Sequence, residues 1–593
     1  MKVETLGVDV LVVGGGAAGC TAALKTHELG ARVLMVVKGR MGRSGATPLA
    51  AHISMAPRIP GPYAVLSGLQ KMFGALSEVV PLPLPARYRQ MLDTVIGEVH
   101  YWLADQDYML GAGLWIMKEF PDSLERHGLY ILRDDDGKPL ATHGTVRHVA
   151  YKAGMSGQQF GQFKRKEVLA AGIDVMEEAM VFSLLTQRNG EIAGALVLNY
   201  ATGALYAVQA KSIVLATGHT NWLAKRATGT REMAANGLAM AVRAGAELQN
   251  LEIQWFHASD AAYPRAWMRL HHFPNTLIGT EHQAVMVNSE GEVYMRNEDY
   301  RVGMPYTIQM KMLYRQVKQG KARWDGGSFI SYPQVDPEIL RKWYYHSTFY
   351  ERLGQDFGNL SLECAPTWHM SAGGVRANVK TMETSVPGLF IAGPVGGHQL
   401  GSISLAVYDG LVAGAQAARR ARTRSLQELD DAQVRSCVER ITAHLSKAGD
   451  PGVSPIQVKN QIRGIVSDNV LFAKSAESLN RALRELKALE QEALPRMRLR
   501  TSATRYNTDL VDALDVVDMM EVVEMVIHAA LTRQESRGPH FREDFPFTDN
   551  KNWLKYVVVS RVDGRVKTRL EEATQKYVRP KPERVDYFAN LYS

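Results

Sequence analysis

Residues 8–19 read VDVLVVGGGAAG. Residues 8–13 are apolar except Asp9 and mostly β-branched, the composition of a strand buried on both faces of a parallel sheet. The next six residues, Gly14-Gly15-Gly16-Ala17-Ala18-Gly19, have G-x-G-x-x-G spacing directly after that strand and open an apolar helix. Gly14 allows the tight turn, Gly16 lets backbone approach a pyrophosphate, and Gly19 permits close helix–strand packing. Ala17 and Ala18 complete the phosphate cradle in the first helical turn, where backbone N–H groups lack intrahelical partners. The stretch predicts a Rossmann-like α/β domain that binds a dinucleotide.

Working outward, a second strand is expected over residues 32–37, in VLMVVKGR. A simple NAD site ends this strand in an acid that binds ribose; here it ends in Lys38. Farther on, residues 171–218 carry strand signals with NG and TG pairs that mark hairpins, and SIVLATGH is an apolar strand ending in Ala216-Thr217-Gly218. The two glycine-bearing strand ends lie about 200 residues apart, which implies one discontinuous domain. The strand pattern resumes in SVPGLFIAGP, which contains Gly393. From Gly396 the chain reads GGHQLGSISLAVYDGLVAGAQAA, a glycine turn opening a helix. Its first N–H groups, around Ser402, Ser404 and Leu405, are expected to face an electron-rich group. No Arg or Lys stands there, and Gln399 occupies the place of a charged clamp.

The whole chain has 593 residues, 46% hydrophobic and 22% charged, with a net charge of +8. Such a composition fits a soluble globular protein of several domains. The charges are scattered without a basic run interleaved with aromatics, which argues against nucleic-acid binding. Three distant cysteines, Cys20, Cys364 and Cys437, build neither a disulfide framework nor an iron–sulfur cluster, and no metal site is expected. No secretory leader or run of roughly 20 apolar residues is seen, so the expected location is cytoplasmic, without a direct membrane span.

Together the motifs are specific. VVGGGAAGCTAAL, the Lys38 strand end, GRSGAT, VLATG, NGLAMAVRAGAELQNLEIQWFH, PTWHMSAGGV, VPGLFIAG, LGSISL, RYNTDLVDAL and ESRGPHFREDFPFTDNKNWLK are spread along the chain from Val12 to Lys555. By these the chain resembles the flavoprotein subunit family of succinate dehydrogenase and fumarate reductase, which includes L-aspartate oxidase and, more distantly, the adenylylsulfate reductase flavoprotein. The resemblance implies an FAD-dependent oxidoreductase. It divides the chain into an FAD-binding domain (1–245 and 366–420), an inserted α+β capping domain (246–365), a helical domain (421–545) and a C-terminal extension (546–593). Leu479, Leu483, Leu486 and Leu489 recur at helical spacing as a bundle seam in the helical domain.

The resemblance also assigns site residues. His257 and His369 match two histidines that bind substrate carboxylates. Two arginines of the family are missing: IGTEHQAVMVNSEG has none where the proton-transferring arginine belongs, and Gln399 replaces the carboxylate-gripping one. Each charge-assisted bond lost is worth about 1.5–3 kcal/mol, so succinate and fumarate are not the expected substrates. Arg265, Arg269, His271, His272, Glu281 and His282 offer a replacement proton relay, Glu281 and His282 nearest the lost arginine's place. Ser44-Gly45 puts glycine where respiratory members carry the flavin-linking histidine, so FAD is expected to bind non-covalently. Pro394 and Asn236 replace two acids, which alters individual ribose contacts. The reaction expected is hydride transfer at a C–C or C=C bond beside a carbonyl. Because cluster ligands are absent here, electrons are expected to be exchanged through oxygen, a soluble carrier or another subunit. The ESRGPHFREDFP and DNKNWLK segments and the basic tail resemble parts that dock a ferredoxin-like iron–sulfur subunit in respiratory members, which makes such a subunit the expected partner. Two alternatives stand beside it: flavin–sulfur chemistry like that of adenylylsulfate reductase, and a flavin electron-transfer subunit with no substrate of its own.

Overall fold

A computed structural model describes residues 2–50, 53–55, 93, 96–97, 100–120, 123–124, 147–149, 156–263, 285–296, 306–332, 350–398 and 401–589. Strand β1 (Val3–Val13) ends in the glycine turn, followed by helix α1 (Ala17–Glu28) and strand β2 (Val33–Val37), parallel to β1. Val10, Leu11 and Val12 are fully buried, each side chain contributing about 1.5–3 kcal/mol of transfer free energy. Strand β3 (Asp174–Glu177) extends the sheet beyond β2. Then β4 (Ala179–Thr186), β5 (Ile192–Asn199) and β6 (Ala204–Leu215) form an antiparallel meander. Its two turns fall at the expected NG and TG pairs, with Gly190 and Gly203 in left-handed conformation.

β6 joins the two halves of the domain. One edge pairs with β1 from Val3 to Val13, while the other pairs with β5 over its first half. After an excursion of some 170 residues the chain comes back to take the rest of that edge. The excursion holds helix α2 (Asn236–Arg243), strand β7 (Leu248–Gln249) and the cap strands β8 (Gln254–Ala261), β9 (Val285–Asn288), β10 (Val293–Met295), β11 (Ser328–Ser331) and β12 (Ser361–Ser371). The cap sheet runs β8-β12-β11-β9-β10. β12 continues through residue 371, past the boundary expected at 365. β13 (Gly374–Val375) and β14 (Leu389–Ile391) follow, and β14 lies parallel to the end of β6, completing a seven-stranded sheet.

Helix α3 (Ile403–Thr423) packs beside α1, and α4 (Asp431–Ser446), α5 (Pro455–Asn469), α6 (Ala476–Ala488) and α7 (Thr508–Thr532) make the helical domain. Leu479 and Leu486 on α6 are buried, as the seam requires. The final hairpin, β15 (Lys555–Val562) and β16 (Arg565–Glu572), turns at Asp563-Gly564, both with positive φ, the conformation that suits a tight antiparallel turn. β15 pairs with β7, joining the C-terminal extension to the core in a sheet ordered β13-β7-β15-β16. The tail lies on this chain's own surface: Tyr587 is buried and stacks on Phe541 at 5.0 Å. Among the described residues no helix is long and apolar enough to cross a membrane.

Candidate active site

A cleft of about 270 Å³ opens at the C-terminal ends of β1, β2 and β6. Open α/β sheets bind ligands in this crevice. Gly14 has φ +116°, and a side chain there would meet the Ala216 carbonyl oxygen at 2.2 Å. A Cβ at Gly19 would lie 2.0 Å from the Gly14 carbonyl oxygen. These two glycines therefore hold β1, α1 and β6 closer than any other residue would allow. Gly16 is the N-cap of α1, with no side-chain cap and no acid in the first turn. The Ala17 N–H donates to Thr47 Oγ1 at 3.0 Å.

A second helix points its N-terminus at the same space. Gly401, Ser402, Ile403 and Ala406 border the cleft. Ser402 caps α3 by accepting the Leu405 N–H at 3.1 Å, and its hydroxyl pairs with Ser404 Oγ at 2.9 Å. The first turn of α3 also lacks acids. Two positive helix ends converging on one cleft fit an anionic ligand with several electron-rich oxygens.

His369 borders this end. It sits on β12, its Nδ1 is 2.8 Å from Thr228 Oγ1, and its ring lies 3.8 Å from that of His257, tilted by 30°. His257, on β8, is fully buried behind it, with Nδ1 3.6 Å from Asp260 Oδ1. Antiparallel pairing of β8 with β12 is what brings the two rings together. Beside them, His219 accepts the Ser371 N–H at Nδ1, 3.3 Å, which places its proton on Nε2. Burial pushes its pKa down to about 3, so the ring is neutral.

At the far end, Lys38 and Asn236 border the cleft, but both are held from behind by α7. Asp512, Asp515 and Asp518 recur every three residues on one buried face. Lys38 Nζ pairs with Asp515 and donates to Asn236 Oδ1 at 2.9 Å. Asn236 Nδ2 donates to Asp515 at 3.0 Å and Asp518 at 2.6 Å. Lys459 on α5 bridges Asp512 at 2.8 Å and Asp515 at 2.6 Å. Burial pushes the Asp515 carboxyl upward, but Lys38 and Lys459 outweigh it and hold the group below the usual carboxylate range.

The comparisons with known proteins decide what this cleft belongs to. A family model described as an FAD binding domain matches residues 9–405, and one described as the fumarate reductase flavoprotein C-terminal region matches residues 459–587. The chain belongs to the succinate dehydrogenase/fumarate reductase flavoprotein family. It is an FAD-dependent oxidoreductase. It is 26% identical to one of the subunits of the fumarate reductase (CoM/CoB) of Methanothermobacter marburgensis, over 95% of this chain and 98% of that one. It is also 26% identical to L-aspartate oxidase of Streptomyces coelicolor, over 93% and 91% of the two chains. In fold it is similar to a mutant FrdA of E. coli quinol fumarate reductase, with TM-score 0.80 and 21% identity over 98% and 99% of the two chains. The glycine cradle, the two acid-free helix ends and the lining of the cleft fit FAD.

In this flavoprotein the expected residues Gly14, Gly16, Ala17, Ala18, Lys38, Ser44, Gly45, Ala216, Thr217, Gly218, Asn236, Ser402 and His369 border the cleft. Three do not. Gly393 packs against Ala18 and Ala406 and donates its N–H to Asp409 at 3.0 Å; Ser404 and Leu405 lie one layer back, inside the cap of α3. Lys38, expected at the cofactor, borders the cleft with its ammonium held by Asp515. Gln399, Glu281, His282 and Arg265 lie outside the described residues, as do Arg269, His271 and His272. Sequence reasoning missed Thr47, His219, Thr228 and Glu232, all on the cleft wall. His219 carried a signal, a polar residue directly after Ala216-Thr217-Gly218; Glu232 carried none.

Proposed function

We propose that the protein moves hydride between FAD and a small organic substrate at a C–C or C=C bond beside a carbonyl, other than succinate or fumarate. The observation that carries this is His369 on the cleft wall beside the N-terminus of α3, with His257 stacked behind it. Bound FAD supplies the hydride acceptance and donation. Thr228 anchors the His369 ring through Nδ1, so that the ring can hold a substrate oxygen by hydrogen bonding and orient the reacting carbon. The α3 N-terminus favours negative charge that develops nearby during reduction. Gln399, a neutral amide, stands where a carboxylate-binding arginine is absent, which supports a substrate less anionic than a dicarboxylate.

Gly45 has no nucleophilic side chain, and this supports non-covalent attachment of the cofactor. Ser44, Thr217 and Ser402 are the polar side chains we assign to the dinucleotide from their places on the wall, while Lys38 and Asn236, tied to α7, shape the strand end that it lies against. Electrons pass to or from an iron–sulfur partner subunit: the M. marburgensis relative is itself one subunit of a larger reductase, and this chain's three cysteines are buried and separate, unable to hold a cluster.

The test uses protein photoreduced without oxygen. Unsaturated carbonyl compounds are expected to reoxidise it and fumarate to do so more slowly. His369→Ala is expected to slow the productive reaction about 100-fold or more while leaving flavin bound. Fumarate as the best oxidant, or a fully active His369→Ala protein, contradicts this reading.

A further inference from the structure

The end of β2 presents a chemical gap. In a simple Rossmann site an acid there accepts hydrogen bonds from the ribose hydroxyls. This chain has Lys38, whose ammonium is committed to Asp515 and Asn236. Asn236 has no donor to spare: Nδ2 is bonded to both Asp515 and Asp518, and Oδ1 accepts from Lys38. A diol donates and needs an acceptor: Lys38 has none, and Asn236 offers at most one neutral lone pair on Oδ1, so neither replaces the charged acceptor that an acid supplies.

We propose that Glu232, from a segment about 195 residues farther along the chain, is the acid that binds the adenosine ribose of the dinucleotide. The proposal rests on the FAD reading above. Glu232 borders the cleft beside Gly39, the second residue after β2, where an added Cβ would lie 3.2 Å from Glu232 Cγ. Its Oε2 is excluded from solvent and has no hydrogen-bond partner among the described residues. The adjacent Arg231 turns instead to Asp512, at 2.9 Å. A buried carboxylate oxygen without a donor costs free energy that a ligand donor recovers. Carboxylate oxygens accept and cannot donate, so the group fits hydroxyls and repels phosphate. A ribose diol offers two O–H donors at the strand end where such a ligand lies, and Met180 and Val181 give the neighbouring wall an apolar surface for a flat base.

The test compares nucleotides on the full-length protein stripped of flavin, with ADP, 2′-deoxy-ADP and 3′-deoxy-ADP competing against FAD rebinding. Wild type is expected to bind ADP roughly tenfold or more tighter than at least one deoxy form, the difference one charge-assisted hydrogen bond makes. Glu232→Ala is expected to bind FAD and ADP about tenfold more weakly and to lose the discrimination. Glu232→Gln, which keeps the side-chain volume, is expected to lose most of it. Variants that rebind FAD and still discriminate as wild type does overturn the assignment and leave the FAD reading intact. A wild-type protein that takes up no FAD overturns both.

Discussion

Gly19→Ala is expected to abolish stable FAD binding. The new methyl group would sit 2.0 Å from the Gly14 carbonyl oxygen and 3.3 Å from the Ala216 side chain. Both neighbours belong to the ends of the central strands, so no flexible side chain can move aside. The clash is relieved only if α1 shifts off β1 and β6. That shift carries the helix N-terminus, with its unpaired N–H groups, out of register with the ligand phosphates. Overpacking in a well-filled interior costs about 1–3 kcal/mol, and backbone obstruction places this site at or beyond the upper end. Gly172→Ala is the control: it has φ +70° with nothing within 4 Å of the added methyl, so it costs only the left-handed strain of about 1–2 kcal/mol. Flavin content after gel filtration reads the difference. Full occupancy in Gly19→Ala contradicts the close-packed turn.

The second large effect is expected at Asp515. This carboxylate is 1% exposed and receives Lys38, Lys459 and Asn236 from the nucleotide strand end, the helical domain and the start of α2. Removing Asp515 leaves the buried Lys38 ammonium with no carboxylate and Lys459 with Asp512 alone, and breaking such a network costs about 3–5 kcal/mol. Asp515→Ala is therefore expected to lower the unfolding midpoint and to loosen FAD through Lys38 and Asn236. Because Lys38 and Lys459 hold its carboxyl below the usual range, the ionised form is favoured in the folded state. Its contribution is complete above the unfolded value of about 3.9 and is lost as pH falls through the lower, folded value. The stability difference between wild type and Asp515→Asn should stay constant through neutral pH and shrink only below about pH 4. A difference that already disappears in mildly acidic buffer would contradict the pairing.

The two predictions mark the boundary of what the sequence could reveal. The strand–glycine–helix unit is legible because all its determinants are local: an apolar strand, a turn needing φ above zero at Gly14, and a small residue at Gly19. The NG and TG turns are legible for the same reason. His257 and His369 can be named from their motifs, but their stacking depends on β8 pairing with β12 across more than 100 residues. The partner of Lys38 is hidden for a similar reason, since Asp515 lies 477 residues away and only the fold brings it to the strand end. The spacing of Asp512, Asp515 and Asp518 marks one helix face, and nothing local distinguishes a buried acidic face from a solvated one. Glu232 follows an arginine in a segment with no strand or helix pattern, so its place beside Gly39 emerges only from the folded chain. The C-terminal hairpin can be expected as a hairpin, yet its pairing with β7 requires contact across some 300 residues.

Acid precipitation of freshly isolated protein tests the central claim most directly. If the cleft at the ends of β1, β2 and β6 holds FAD without a covalent bond, the supernatant contains about one intact FAD per chain and the pellet is colourless. Protein that is colourless as isolated and takes up no FAD on reconstitution contradicts the account, and a yellow pellet contradicts the mode of attachment.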